Sequence, residues 1–207
     1  MKVLFRNGFL ALLVPCMMTG DCTGQSLPSS PEPVRGDLNI APLPAMMEAK
    51  QGSFVIDDKT FILMESFAPF SFDPLSVFRE VFRRKSGYAI NEPGNVSPRP
   101  GTKAMIVVAK AAAPFNKEGY SLKIGPSGIY ISAANEQGIF YAFQTLRQIM
   151  RMDALPDAKG EQRTWMLPAV DINDYPQYSY RGLHLDVCRH FMPVDFVKKY
   201  IDLLAYY

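Results

Sequence analysis

Residues 180–207, YRGLHLDVCRHFMPVDFVKKYIDLLAYY, join an alternating segment to an amphipathic one through a turn dense in functional groups. Arg181, Leu183, Leu185 and Val187 share one parity, against Gly182, His184 and Asp186 on the other, between Pro176 and Pro193. That pattern predicts a strand over Tyr180–Val187. Pro193-Val194-Asp195 then opens a helix, with proline at the first turn and an acid near the positive end of the dipole. Phe196, Val197, Tyr200, Ile201, Leu204 and Tyr207 form its apolar stripe, and no glycine or other stop follows them. A helix this apolar needs a partner surface. A strand, turn and helix in this order point to an α/β unit, where ligands sit at the C-terminal ends of the strands. The turn offers Asp186, Cys188, Arg189 and His190. Residue types alone leave two roles open. Arg189 suits bidentate hydrogen bonding to hydroxyls or carboxylates. Equally, Asp186 and Arg189 form a structural ion pair with His190 packed beneath the turn, and composition favours this plainer role.

Upstream, short elements alternate. Ser53–Ile56 and Thr60–Met64 are predicted strands around an Asp57-Asp58-Lys59 hairpin turn. Asp73 to Lys85 predicts a helix: Asp73 can cap it, Pro74 suits its first position, and Leu75, Val77, Phe78, Val81 and Phe82 make its apolar face. Gly87 ends it. Ala104–Ala109 is a buried-strand candidate. Tyr120–Ile124 and Ile129–Ser132 flank Gly125-Pro126-Ser127-Gly128 as a hairpin. Ile139–Met152, with Phe140, Phe143, Leu146, Arg147 and Met150 in helical spacing, predicts a second helix after Asn135-Glu136-Gln137-Gly138. Asp153–Thr164 is a polar loop and Trp165–Ile172 an extended segment. The expected fold class is α+β: a mostly hairpin-linked sheet with two helices on one face, followed by the terminal strand–turn–helix.

The chain's beginning has a different character. Lys2 and Arg6 precede Phe9–Met18, ten uncharged residues, too few for a bilayer-spanning helix, which needs about 20. A basic start and a short apolar run match a secretory signal peptide with cleavage after Gly24. Residues 25–40 are rich in proline and serine, which predicts an extended linker. The expected location is therefore outside the cytoplasm, periplasmic or secreted. Attachment of a lipid to Cys16 or Cys22, as in an outer-membrane lipoprotein, is an alternative, although Pro15 and Asp21 before them are not the small residues such signals use. Without the leader, one of three cysteines remains, Cys188, which excludes a disulfide framework. The net charge of +2, falling to +1 with the leader removed, and the absence of a basic run give no basis for a nucleic-acid partner.

The terminal stretch resembles the start of the catalytic barrel of family 20 glycoside hydrolases, the β-N-acetylhexosaminidases. The Arg-Gly, Leu-Asp-Val, Arg-His-Phe and pre-helical proline carry the likeness without a break over 28 residues. The upstream region is similar to that family's small N-terminal α+β domain through Gly119-Tyr120-Ser121-Leu122, Gly128-Ile129-Tyr130-Ile131, Asn135 through Leu146, and Leu167-Pro168-Ala169-Val170. These upstream motifs are less specific, because other glycosidase families carry a similar module.

The resemblance implies a start of a (β/α)8 barrel over 174–207 and the N-terminal domain over 41–173. It implies removal of terminal non-reducing N-acetylglucosamine or N-acetylgalactosamine with retention, by the substrate-assisted exception to the two-carboxylate scheme. The substrate's acetamido oxygen attacks the anomeric carbon, while an Asp-Glu pair orients that group and serves as general acid, then base. No metal or organic cofactor is implied; the partner is an N-acetylhexosamine glycan or glycoconjugate. Arg189 falls on the arginine that binds the sugar's C3 and C4 hydroxyls. Asp186 and His190 fall on supporting positions, and Arg181 on a structural one at the start of the strand. Cys188 departs from the usual serine or alanine, and His184 stands where a larger aliphatic is usual. One βα unit of the barrel's eight is present. The expectation is therefore a piece of a longer enzyme, with no catalytic residue in this chain and no activity for it alone. Two alternatives remain: another glycosidase sharing the N-terminal domain, and a non-catalytic carbohydrate-associated module.

Overall fold

The computed structural model describes residues 38–64, 70–90, 103–110 and 118–207. The leader over 1–24 and nearly all of the linker over 25–40 lie outside the described residues. The linker's last residue does not hang free, because Ile40 is buried in the core.

Six strands form one mixed sheet: β1 (Met46–Ile56), β2 (Thr60–Met64), β3 (Lys103–Lys110), β4 (Tyr120–Gly125), β5 (Gly128–Ala133) and β6 (Trp165–Asp174), in the order β1-β6-β4-β5-β3-β2. The helices are α1 (Ser76–Ser86), α2 (Glu136–Ile149) and α3 (Val194–Tyr206). The α+β class holds. The expected linkage by hairpins does not, because among the described strands only β4 and β5 are sequence neighbours paired antiparallel, while β2 and β3 pair in parallel. β2, β3 and β5 run parallel, and parallel neighbours need a crossover between them; α1 lies in the one from β2 to β3.

The predicted hairpin around Asp57-Asp58-Lys59 is corrected as well. The turn exists: Asp57 Oδ1 accepts from the Lys59 amide and from Thr60 Oγ1, both at 3.0 Å. Yet β1 and β2 occupy opposite edges of the sheet. A flat sheet would hold those edges about 24 Å apart, five spacings of about 4.8 Å. The four Cα steps from Ile56 to Thr60 reach about 15 Å at most. The sheet therefore curls at this end. Its curl is filled by aromatic side chains, with Phe82 of α1 5.4 Å from Trp165 of β6 and 5.3 Å from Tyr88.

Alternation in β4 and β5 defines the two faces. Tyr120, Leu122, Ile124, Ile129 and Ile131 are buried, whereas Lys123 and Tyr130 are exposed. Both α1 and α2 cover the buried face, where Phe78 and Phe143 meet at 4.8 Å. Asn135 caps α2 by accepting from the Gly138 amide at 3.3 Å. Asp73 acts one turn before α1 starts: its Oδ1 takes the Leu75 amide at 3.0 Å, so the regular helix begins three residues later than predicted, at Ser76. Gly87 closes α1 in the left-handed conformation, φ 82°. The last carbonyls of α1 are taken by the polar loop. The Ala158 amide donates to Arg84 O at 2.8 Å, the Arg163 amide to Ser86 O at 2.9 Å, and Arg163 Nη1 to Lys85 O at 2.8 Å.

Residues 180–187 do not form a ladder. The backbone there has no regular secondary structure, and Tyr180 and Leu183 are exposed. A strand of a parallel sheet is built by its neighbours, and none of the described strands lies beside this one. Helix α3 forms as predicted from Pro193 onward, with no buried residue of its own.

Candidate functional site

The turn after 180–187 is organised by Asp186. Its Oδ1 accepts from the amides of Cys188 at 3.0 Å and Arg189 at 3.1 Å, and its Oδ2 takes Arg189 Nε at 2.5 Å. Those bonds, first the Arg189 amide and then its side chain, hold the Asp186 carboxyl below its ordinary range. The ion pair that residue types alone favoured is thus present. It engages only Nε, and the Arg189 side chain is 91% exposed, so its two terminal nitrogens face outward with no protein partner among the described residues. His190 is exposed, which corrects its expected packing beneath the turn. His184 and the free thiol of Cys188 are exposed too.

Arg181 sits apart from that turn. Its Nη2 donates to Glu118 Oε2 at 2.5 Å and to Tyr141 Oη at 3.0 Å, its Nη1 donates to Tyr178 O at 2.7 Å, and its Cζ is 5.7 Å from the Tyr141 ring centre. The Glu118 carboxylate, ahead of the other causes, raises the guanidinium pKa further. These contacts tie the terminal segment to the entry of β4 and to α2.

A cleft of about 400 Å³ lies beside Arg181, between α2, the entering chain and the end of α3; Tyr120, Tyr141, Gln144, Asp174 and Tyr206 are among its lining. Asp174 Oδ1 accepts from the amides of Ala45 at 3.0 Å and Tyr175 at 2.9 Å. Beyond Arg147, placed among the apolar positions of α2, sequence reasoning missed this polar cluster. A lone cation in an apolar stripe was the available signal. Among the described residues no group of three or more His, Cys, Asp or Glu could hold a metal ion. No helix among them is long and apolar enough to cross a membrane.

Comparison with known proteins covers nearly all the described residues. The model for glycosyl hydrolase family 20, domain 2, matches residues 37–175, and that for the family's catalytic domain matches 178–207. The beta-hexosaminidase of Porphyromonas gingivalis is 32% identical over 171 residues, 81% of this chain and 21% of that protein. The beta-N-acetylhexosaminidase of Cellulomonas fimi is 31% identical over 174 residues, 83% of this chain and 33% of the relative. A solved structure of Streptomyces plicatus N-acetyl-beta-hexosaminidase, in complex with Thio-NAglucal, superposes with a TM-score of 0.65 at 30% identity, covering 84% of this chain and 34% of that one. The chain thus spans between a fifth and a third of the curated relatives named here.

Proposed function

The chain belongs to glycosyl hydrolase family 20, and from that premise we propose that it is the N-terminal portion of an exported β-N-acetylhexosaminidase. The enzyme removes terminal non-reducing N-acetylglucosamine or N-acetylgalactosamine by substrate-assisted, retaining hydrolysis. In this proposal 1–24 is a leader, 25–40 a linker, 41–173 the N-terminal domain and 174–207 the first βα unit of the catalytic barrel. No residue of this chain is assigned to the Asp-Glu pair that does the acid–base work. The observation that carries the proposal is the match of both family models, in order, along 37–207.

Arg189 is the sugar-binding residue of the proposal. The Asp186 carboxylate holds its backbone amide and its Nε, which fixes one edge of the guanidinium and turns the two Nη groups outward. Two parallel N–H donors of that kind suit a pair of adjacent hydroxyls, here C3 and C4 of the terminal sugar. Asp186 supports Arg189. His190, exposed in this structure, acts in the proposal only once further barrel residues surround it. Arg181 serves structurally, through Glu118 and Tyr141. The partner is an N-acetylhexosamine-bearing glycan or glycoconjugate.

The test is release of a chromogenic N-acetylglucosaminide by the full gene product and by its Arg189→Met variant. Losing a bidentate contact to a substrate hydroxyl pair is expected to lower kcat/KM by about a hundredfold or more. Wild-type protein that cleaves no N-acetylhexosaminide would sink the activity. An unaltered kcat/KM in the variant would remove Arg189 from the site.

A further inference from the structure

Apart from Tyr141, which holds Arg181, the polar side of α2 has no part in the sugar-binding proposal. Gln144, Thr145 and Arg147 are 3%, 6% and 7% exposed, and residues of these types are seldom buried without a surface that uses them. The sheet takes Ile139, Ala142, Phe143 and Leu146 and reaches Thr145 through the Tyr120 hydroxyl, but the partners of Gln144 and Arg147 lie off the sheet. Tyr141, Gln144, Thr145 and Gln148 recur at the spacing of a single helix side. They line the cleft whose other walls include Arg181 and Tyr206.

That side is engaged at both ends. Toward the start of α2, Tyr141 Oη accepts from Arg181 Nη2 at 3.0 Å, beneath the guanidinium. Toward its end, Gln148 Nε2 donates to Tyr206 O at 3.2 Å, and Arg147 Cζ lies 4.9 Å from the centre of the Tyr206 ring. Arg147 is already aimed, since Gln144 Oε1 takes its Nη1 at 2.6 Å and Asp153 Oδ1 its Nη2 at 2.8 Å. The two anchors on α2, Tyr141 and Gln148, are seven residues apart, which is about 10 Å of helix.

We infer that α2 is a two-point clamp, holding the terminal segment through Arg181 at one end and Tyr206 at the other. One fixed point would leave the segment free to pivot; two set its direction. The turn carrying Arg189 lies between the two held residues, so the clamp sets where that guanidinium points. Only this consequence rests on the sugar-binding proposal.

Amide hydrogen exchange of the 207-residue chain tests the clamp. Helix α3 buries no residue, and a lone helix of its length is marginal in water, so slow exchange over 194–206 reports the anchoring. Arg181→Met and Arg147→Met are each expected to speed exchange there by about tenfold or more, while amides of the β4–β5 hairpin keep their rates. Arg147 is buried and its loss can disturb α2, so Tyr206 supplies an independent pair. Tyr206→Phe keeps the ring and the carbonyl and loses the hydroxyl's bond to Asp153, so it should retain most of the protection; Tyr206→Ala should lose it. Free exchange of 194–206 in the wild type, or unchanged protection in Tyr206→Ala, would overturn the clamp. Exchange is blind to sugar, so a failed Arg189→Met assay would discard the sugar contact and leave this result standing.

Discussion

The hydroxyl of Tyr120 on β4 lies 2.5 Å from Thr145 Oγ1 on α2, a buried bond between the sheet and the helix that covers it. Tyr120 is 1% exposed and also donates to Asp174 Oδ2 at 3.3 Å. Tyr120→Phe keeps the ring in the core and removes both bonds. Asp174 retains two backbone donors, so the variant should still fold, with a loss of about 1–2 kcal/mol. Chemical denaturation of the two proteins measures it; equal midpoints would show the network contributes nothing.

Alkaline pH should weaken the fold through the same group. Burial, the largest cause, raises the Tyr120 phenol well above its ordinary 10.0, and burial together with Asp57 and Asp58 does the same for Tyr88. Tyr206 is pushed up to about 12, again first by burial. Above pH 10 the unfolded chain loses these protons while the folded one keeps them. The unfolded state then binds fewer protons, and stability falls as pH rises. It is fully present below pH 10 and declines toward the raised values. The urea midpoint should hold steady from pH 7 to 9 and drop from about pH 10. The gap between wild type and Tyr120→Phe should narrow over that drop. A gap that stays constant to pH 11 would refute the assignment to Tyr120.

Gly138→Ala should destabilise, against helix propensity. Alanine within a helix gains about 1 kcal/mol over glycine. At this position, however, a Cβ would lie 2.4 Å from Gly119 O and 2.9 Å from Ala133 Cβ. Gly119 O is backbone at the entry of β4 and cannot rotate away. Overpacking of this kind costs about 1–3 kcal/mol, and an immovable carbonyl places it at the upper end, for a net loss of about 2 kcal/mol. A variant as stable as wild type would mean that α2 can lift off β4 freely.

These elements also show what could be read before the structure. The β4–β5 hairpin and α2 were legible because their signals are local: alternation around a Gly-Pro-Ser-Gly turn, and Phe140, Phe143, Leu146 and Met150 in helical spacing, although the Asn135 cap starts α2 at Glu136 rather than Ile139. The pairing of β1 with β6 was not, because no local signal says which strand fills the gap beside another. A short turn after Ile56 therefore passed for a hairpin. Residues 180–187 carry the alternation of a strand, but alternation does not supply a ladder. The Asp186–Arg189 pair was open to sequence reasoning from its three-residue spacing. The clamp was not, since periodicity counts apolar positions and is silent on what a buried Gln144 or Arg147 meets.

The pair at Asp186 yields the last prediction. Its carboxyl should titrate below its ordinary 3.8, held there first by the Arg189 amide, then by the Arg189 side chain and the Cys188 amide. For a carboxyl with a lowered folded pKa, the ordering of the turn is complete above pH 3.8 and is lost as pH falls through the lower value. Arg189→Ala removes the side chain but leaves both amides. The Asp186 midpoint, followed by carbon-detected NMR, should therefore rise only part of the way toward 3.8. Exposed ion pairs often contribute nothing measurable, so the experiment discriminates. A midpoint identical in wild type and variant would mean that the guanidinium does not dwell on Asp186, and Arg189 would reach any sugar without prior orientation. A partial rise would mean that the carboxylate holds the Nε edge in solution, leaving the Nη edge aimed outward before a ligand arrives.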